Sequence, residues 1–456
     1  MNTCTLKKGM NIPLGGAPEA VLAEGGPAAR ITLYPNEFEG IKPRPAVKVG
    51  DAVKRGTILY YSKRHAALTF RSPAAGTVEE LALGHRRMLE RIVIRFGASD
   101  DVEPLSRFEA GRIGSLSREQ ILAALLDTGY LALLKQRPFS RIPDPAARPK
   151  SIFVNAMNTA PFQPDAAVIV RGQETAFQAG LDAMTRLTAG KVRLCLPGGR
   201  ADLPPALTAA KNVEIHYFAG PHPAGNSSVH IHHLDPIRPH DVVWTVRAVD
   251  LVQIGRLLLD GAMPPDRVVT LAGPGVREGE RRYYRVRLGA PIEALLQGRL
   301  APGEQRIVAG DVLAGKRVAP DSALRFQDSG ICVLPEGRER HFLGWIAPGW
   351  NRFSWSPTFL STWLRRGAQW ALDTSRRGSP RAMVLTGLYD RYVPMRIMTD
   401  YLLRAVLARD TDEAVKLGLL EVDPEDFALC AFACPSKMDL VGIIRRGLAE
   451  AEKEGI

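Results

Sequence analysis

Hydrophobic positions change their period along this chain. Over the first hundred residues they alternate with polar ones. Val47, Val49 and Val53 flank a Gly50-Asp51 turn and run on to Ile58-Leu59, a pattern that predicts a β-hairpin. Residues 70–78, 79–83 and 92–94 read as further strands. From Ile113 the period becomes helical. Ile121, Leu122, Leu125 and Leu126 share a face, with Ser117 and Gln120 ahead of them in capping-box relation. Residues 135–150 hold four prolines and read as a loop. Strands at 151–155, 191–196, 213–217 and 267–271 then alternate with helices at 174–188 and 249–259, which implies a parallel α/β unit. Residues 281–315 mix short strands with a helix at 291–297, as a β-grasp module would. Beyond Trp345 the pattern predicts helices at 359–372, 398–408, 412–417, 424–434 and 438–453.

The expectation is a multidomain α+β and α/β protein. It has a β domain over 1–105, a Rossmann-like α/β domain over 106–260, a β-grasp module over 261–340 and a helical domain over 341–456. That division agrees with roughly 100–200 residues per domain.

Composition narrows the function classes. No run of 18 apolar residues occurs, so no bilayer-spanning helix is expected. Lys7 and Lys8 have no apolar stretch behind them, unlike a secretory leader. Five scattered cysteines make no disulfide framework, which suggests a reducing, cytoplasmic setting. The formal charge of +12 admits nucleic acid, an anionic membrane leaflet or an acidic protein surface as partner, or simply solvated arginine-rich faces. Basic residues cluster at 277–287, 365–366 and 376–381, without any nucleic-acid-binding signature, so no nucleic-acid partner is expected.

Candidate chemistry is sparse. Cys430-Ala-Phe-Ala-Cys434-Pro435 keeps the last spacing of the C-x2-C-x2-C-x3-C-P cluster signature. Phe427 and Pro424 stand where the earlier thiolates would be, so no cubane cluster can be ligated and two buried structural thiols are expected. Six of the nine histidines lie between His216 and His240. Read as extended, His230-Ile231-His232 would place two imidazoles on one face, within a surface loop spanning 220–235. No carboxylate or cysteine beyond Asp235 has ligand spacing, and no metal site is assigned. Gly273-Pro274-Gly275 is a turn without the full dinucleotide fingerprint.

Two resemblances organise these pieces. V-G-D-x-V-x-x-G-x-x-L followed by S-P-A-A-G-T-V resembles the biotinyl/lipoyl carrier half-barrel, in degenerate form. The tip at Ser62-Lys63-Arg64-His65-Ala66 lacks the carrier motif, so Lys63 is read as an ordinary surface lysine. The whole chain resembles the A-subunit family of the sodium-translocating NADH:quinone reductases. That family is related to the C subunit of the Rnf complex and to the flavin-binding subunit of complex I. The matching residues are Leu6 to Gly16, Arg137 to Ser140, Gly220 to Gly225, Arg267 to Pro274 and Cys430 to Lys437.

The resemblance implies a β-grasp module of the SLBB type. It also implies a peripheral subunit on the cytoplasmic face of the bacterial inner membrane. Its complex, of six subunits, oxidises NADH, reduces ubiquinone and exports Na+. Flavins and an iron–sulfur centre would sit on other, membrane-embedded or flavin-bearing subunits. This chain departs from its flavin-binding relatives, whose loop reads G-x-G-G-A-x-F-P-T. Residues 129–140 keep only Gly129, and Leu133, Leu134 and Lys135 would block backbone approach to a phosphate. The chain is therefore expected to bind no cofactor of its own and to have no catalytic residue. Contacts to ubiquinone or a partner are sought at Arg137, Pro138, Phe139, His222, Trp345 and Trp350. An Rnf-type electron carrier and a basic, non-enzymatic membrane adaptor are the competing readings.

Overall fold

The computed structural model describes residues 3–339, 342–344, 346–356, 358–384 and 386–456. Two small sheets form the N-terminal β unit. One orders the strands Arg30–Leu33, Leu89–Phe96, Gly76–Leu83 and Ala52–Val53; the other orders Pro43–Pro45, Ile58–Ser62 and His65–Arg71. Their inward positions, among them Ile31, Leu59, Phe70, Val78 and Ile92, pack into one apolar core. Lys63-Arg64 is the exposed two-residue turn between Ile58–Ser62 and His65–Arg71. The hairpin expected over 47–59 does not form. Lys48 N–H and Asp51 Oδ2 close the turn at 2.7 Å, but Ala52–Val53 pairs with Gly76–Leu83 instead of the segment before it. Val47 and Val53 both point into the core, and burying both is incompatible with a local ribbon.

The α/β unit is built on a six-stranded sheet. Its order is Thr3–Thr5, Glu214–Ala219, Lys191–Pro197, Ser151–Asn155, Val243–Arg247 and Lys135–Arg137, all parallel except the last. Ile152, Phe153 and Val154 are fully buried, as expected of a strand covered by helices on both faces. Helix Arg118–Thr128 carries the expected capping box, and Gly129 ends it in the left-handed region at φ 77°. Part of the predicted 135–150 loop is the edge strand Lys135–Arg137. The chain's beginning reaches beyond the β unit. Thr3–Thr5 extends this sheet, and Glu19–Glu24 pairs with Arg282–Arg287 in the next.

That next sheet orders Lys316–Val318, Gln305–Ala309, Gly330–Pro335, Asp266–Ala272, Arg282–Arg287 and Glu19–Glu24 around helix Ile292–Leu296. Helices Thr399–Ala408, Thr411–Lys416, Ala428–Ala433 and Leu440–Glu454 enclose the last core, which also takes in Phe153, Phe218 and Val243 of the α/β unit. The helix expected over 359–372 shortens to Ser361–Leu364. Past it, Trp370 pairs its backbone with Pro13 and Gly15 at 2.8 Å, and that long-range pairing draws the chain out of a helix.

Candidate functional site

Strand order reverses between Ser151–Asn155 and Val243–Arg247. The first runs on through helices to strands on one side, and the second sits on the other side. The crevice outside the carboxyl ends of two such strands is where open α/β sheets bind ligands. Here it is a cavity of about 160 Å³, well below the ~300–1,000 Å³ of ordinary ligand pockets. Leu133 and Lys135 line it from the stretch that replaces a glycine loop. Gly129 serves only as the helix cap, and a Cβ on it would come within 2.5 Å of the Phe70 ring. The residues present do not fit a flavin phosphate.

Three units meet in this crevice. The β-grasp unit contributes Asp311, Gln327 and Ser329, and the helical unit contributes Asp423 and Glu425. Arg137, 2% exposed, donates from Nη1 to Asp423 Oδ2 at 2.5 Å and to Ser228 Oγ at 2.9 Å. Ser140 Oγ also donates to Asp423. Burial opposes ionisation of Asp423, yet Arg137, Lys135 and the Ser140 hydroxyl hold its carboxyl below the usual range. Burial and the Asp423 charge push Glu425 up to about 7 and Asp426 up to about 6. Asp426 accepts from Asn226 Nδ2 at 2.8 Å and from Asp423 N–H at 2.7 Å.

A second charge group, with Arg247 and Asp250 also lining the crevice, locks the α/β unit to the β-grasp unit. Asp250 accepts from Arg247 Nε at 2.6 Å and from Arg267 Nη2 at 2.9 Å. Arg247 continues to Ser329 Oγ at 3.0 Å and the Gln327 carbonyl at 2.7 Å. Sequence reasoning named Arg137 and met Arg267 in a family motif, but missed their partners Asp423 and Asp250; for the second pair a signal was there to read. Their signal was a lone charge inside an apolar run: Asp250 in V-D-L-V and Arg267 ahead of V-V-T-L. Such residues are buried only when paired.

Of the sequence candidates, Arg137 lines the crevice; Pro138, Phe139, His222 and Trp350 do not. Trp345 lies outside the described residues. Phe139 packs against the helical core. His222 is 4% exposed, and burial pushes its imidazole down to about 4. Its backbone N–H donates to Asn11 Oδ1 at 2.9 Å, and its ring Nδ1 lies 3.1 Å from Thr159 Oγ1. Asn11 and Thr159 in turn line a second, more open cleft of about 440 Å³, with Ile12, Leu14, Pro161 and Phe162 as apolar walls. Trp350 is exposed and builds no slot; Trp355 turns inward onto Phe432 and Tyr392.

The histidine segment is not an extended surface loop. Helix Ser227–Leu234 turns His230 and His232 to different sides, because this stretch crosses from the α/β unit to the helical unit. His230 is buried with Nε2 3.0 Å from the Ala224 carbonyl. His232 Nε2 accepts from Arg396 N–H at 3.0 Å, so its proton sits on Nδ1, 2.6 Å from Glu421 Oε2. No metal-holding cluster occurs among the described residues. Cys430 and Cys434 are fully buried. Cys430 Sγ lies 3.8 Å from the Tyr389 carbonyl and Cys434 Sγ 3.0 Å from the Tyr389 hydroxyl, with Phe427 completing the wall. This apolar site does not fit a cluster.

Three family models match in sequence order. They are the NqrA N-terminal barrel-sandwich hybrid domain over 4–97, the NqrA second alpha/beta domain over 116–263 and the NQRA C-terminal domain over 268–319. Among curated relatives, the A subunit of the Na(+)-translocating NADH-quinone reductase of Tolumonas auensis is 41% identical over 99% of this chain and 100% of its own length. The same subunit of Saccharophagus degradans is 40% identical over 99% of both chains. That of Pasteurella multocida is 39% identical over 99% of this chain and all of its own.

Proposed function

This chain belongs to the NqrA family, and from that premise we propose that it is the peripheral A subunit of a complex that oxidises NADH, reduces ubiquinone and exports Na+. The end-to-end identity to subunits of that name carries the reading. No helix among the described residues is long and apolar enough to cross a membrane, so the ion path belongs to other subunits. The chain docks on membrane-embedded and flavin-bearing partners at the cytoplasmic face and holds no redox cofactor. Leu133 and Lys135 in the switch-point crevice, and Phe427 beside two buried thiols, support that last point.

Its contribution lies at the quinone end and in assembly. The cleft between Ile12, Leu14, Pro161 and Phe162 offers apolar walls, with Asn11 and Thr159 as polar anchors. Pockets for aromatic ligands combine those features. His222 orients both anchors, Asn11 through its backbone N–H and Thr159 through its neutral ring.

Native purification from membranes tests the assignment. The chain is expected to co-purify with partners bearing several transmembrane helices, and alone to show no flavin or iron absorption. Stoichiometric flavin or iron in the isolated chain overturns the cofactor reading; absence of membrane partners overturns the subunit reading. A photoreactive quinone analogue should label residues 11–17 or 159–162. Labelling confined to another subunit would remove the quinone role and leave a scaffold.

A further inference from the structure

Tryptophan and arginine converge on one segment. Five of the six tryptophans lie between Arg338 and Arg381. The same stretch holds eight arginines and no lysine, against the two acids Glu339 and Asp373, and so carries +6 of the formal +12.

The segment has two sides. Inward, the Trp355 ring lies 5.1 Å from Phe432 and 5.2 Å from Tyr392, and its Nε1–H donates to the Tyr392 hydroxyl at 2.6 Å. Phe353 packs against Trp370 and Phe432, and Trp370 is tied by its backbone to Pro13 and Gly15. Outward, Phe342 is 93% exposed, Trp350 63%, Trp363 62% and Leu364 65%. Local bonds hold this outer face: Leu360 N–H to the Pro348 carbonyl at 3.0 Å and Ser361 Oγ to the Arg352 carbonyl at 2.5 Å. The Arg366 guanidinium lies 5.9 Å from the Trp363 ring centre, that of Arg365 lies 4.9 Å from the Trp370 ring centre, and Arg365, Arg366 and Arg376 are exposed.

Clustered exposed apolar side chains mark an interaction surface. Charge decides the kind. Protruding tryptophans with a surplus of arginine and few carboxylates match an anionic bilayer. Indole rings settle there at headgroup level, and each basic side chain near the surface contributes ~1 kcal/mol. Arginine stems lie along apolar surface while the guanidinium reaches phosphate.

We propose that the described residues between Phe342 and Arg376 form a lipid-contact surface. Trp350, Trp363, Phe342 and Leu364 enter the headgroup boundary of an anionic membrane, and Arg365, Arg366 and Arg376 meet its phosphates. The inference rests on the peripheral-subunit reading above and names the surface that reading leaves open.

The test uses the full-length chain and vesicles, so it needs no partner chain. Vesicles of equal parts phosphatidylcholine and phosphatidylglycerol should sediment the chain, and pure phosphatidylcholine should not. Lipids brominated on the acyl chain should quench its tryptophan fluorescence. Trp350→Ser with Trp363→Ser should abolish the quenching, and each of Arg365→Gln and Arg366→Gln should lower partitioning about five-fold, the factor equivalent to ~1 kcal/mol. These side chains are exposed, so unchanged circular dichroism is expected of all four. No anionic-vesicle binding, or binding indifferent to these changes, overturns the proposal and leaves the place of the chain in its complex intact. In the assembled complex, a photocrosslinker at position 350 should capture lipid. Capture of a neighbouring protein would make this face a protein-docking surface and refute the lipid role.

Discussion

Asp250→Asn tests the lock between the α/β and β-grasp units. Asp250 and Arg267 are each 1% exposed and 2.9 Å apart. At an effective dielectric of about 20, unit charges at that separation attract by ~6 kcal/mol. Desolvating the two ions costs several kcal/mol each, so the intact pair is worth little net. The asymmetry appears when one partner goes. Arg267 keeps its bond to the Phe326 carbonyl, but its charge is left buried without a counter-ion. Arg247 loses the same partner, but its side chain is 38% exposed, so its share of the pairing is screened by solvent and adds little. Removing one member of a buried pair costs ~3–5 kcal/mol. Asparagine keeps the shape and one acceptor, so the lower end is expected, and alanine should reach the upper end.

A chain of several units does not unfold in one step, so the assay is local. Hydrogen exchange of peptides covering Ala248–Asp260 and Asp266–Ala272 should accelerate by about two orders of magnitude, as ~3 kcal/mol requires. Asp250→Leu with Arg267→Met should restore most of the protection, because no uncompensated ion remains. Unchanged exchange in Asp250→Asn, or a double variant as damaged as the single, would refute the reasoning.

Arg137→Met orphans Asp423 beneath the helical unit and should loosen residues 419–434 by ~3 kcal/mol, read as earlier proteolytic cleavage there. The pH dependence follows from Glu425 and Asp426. Their folded values, about 7 and about 6, lie above the ordinary ~4.3 and ~3.9, so the stability they contribute is complete below about pH 4 and is lost as pH rises through 6 to 7. Protection of the 419–434 segment should therefore fall between about pH 5 and about pH 8, and Glu425→Gln should flatten that fall; a rise would contradict the sign. Ser117→Ala removes the cap bond to Gln120 N–H at 3.2 Å and should cost ~1 kcal/mol, seen as several-fold faster exchange in the first turn of Arg118–Thr128.

What the sequence determined is local. The Ser117–Gln120 cap, the strand–helix alternation after 150, and the loss of glycines and thiols at 129–140 and 424–434 are written in neighbouring residues. A period, a cap or a missing Cβ needs no distant partner to act. Of the candidate site, Arg137 was legible as an arginine in a family motif; its partner Asp423 was not. Tertiary structure alone decided which strand Ala52–Val53 joins, that Thr3–Thr5 completes a sheet more than two hundred residues away, and that Trp370 leaves its helix for Pro13 and Gly15. It also placed Asp250 against Arg267, Asp423 and Glu425 in one crevice, and Asp426 buried behind them. Pairing and charge burial depend on which groups the fold brings within hydrogen-bond reach, and a charged residue in an apolar run announces only that it needs a partner.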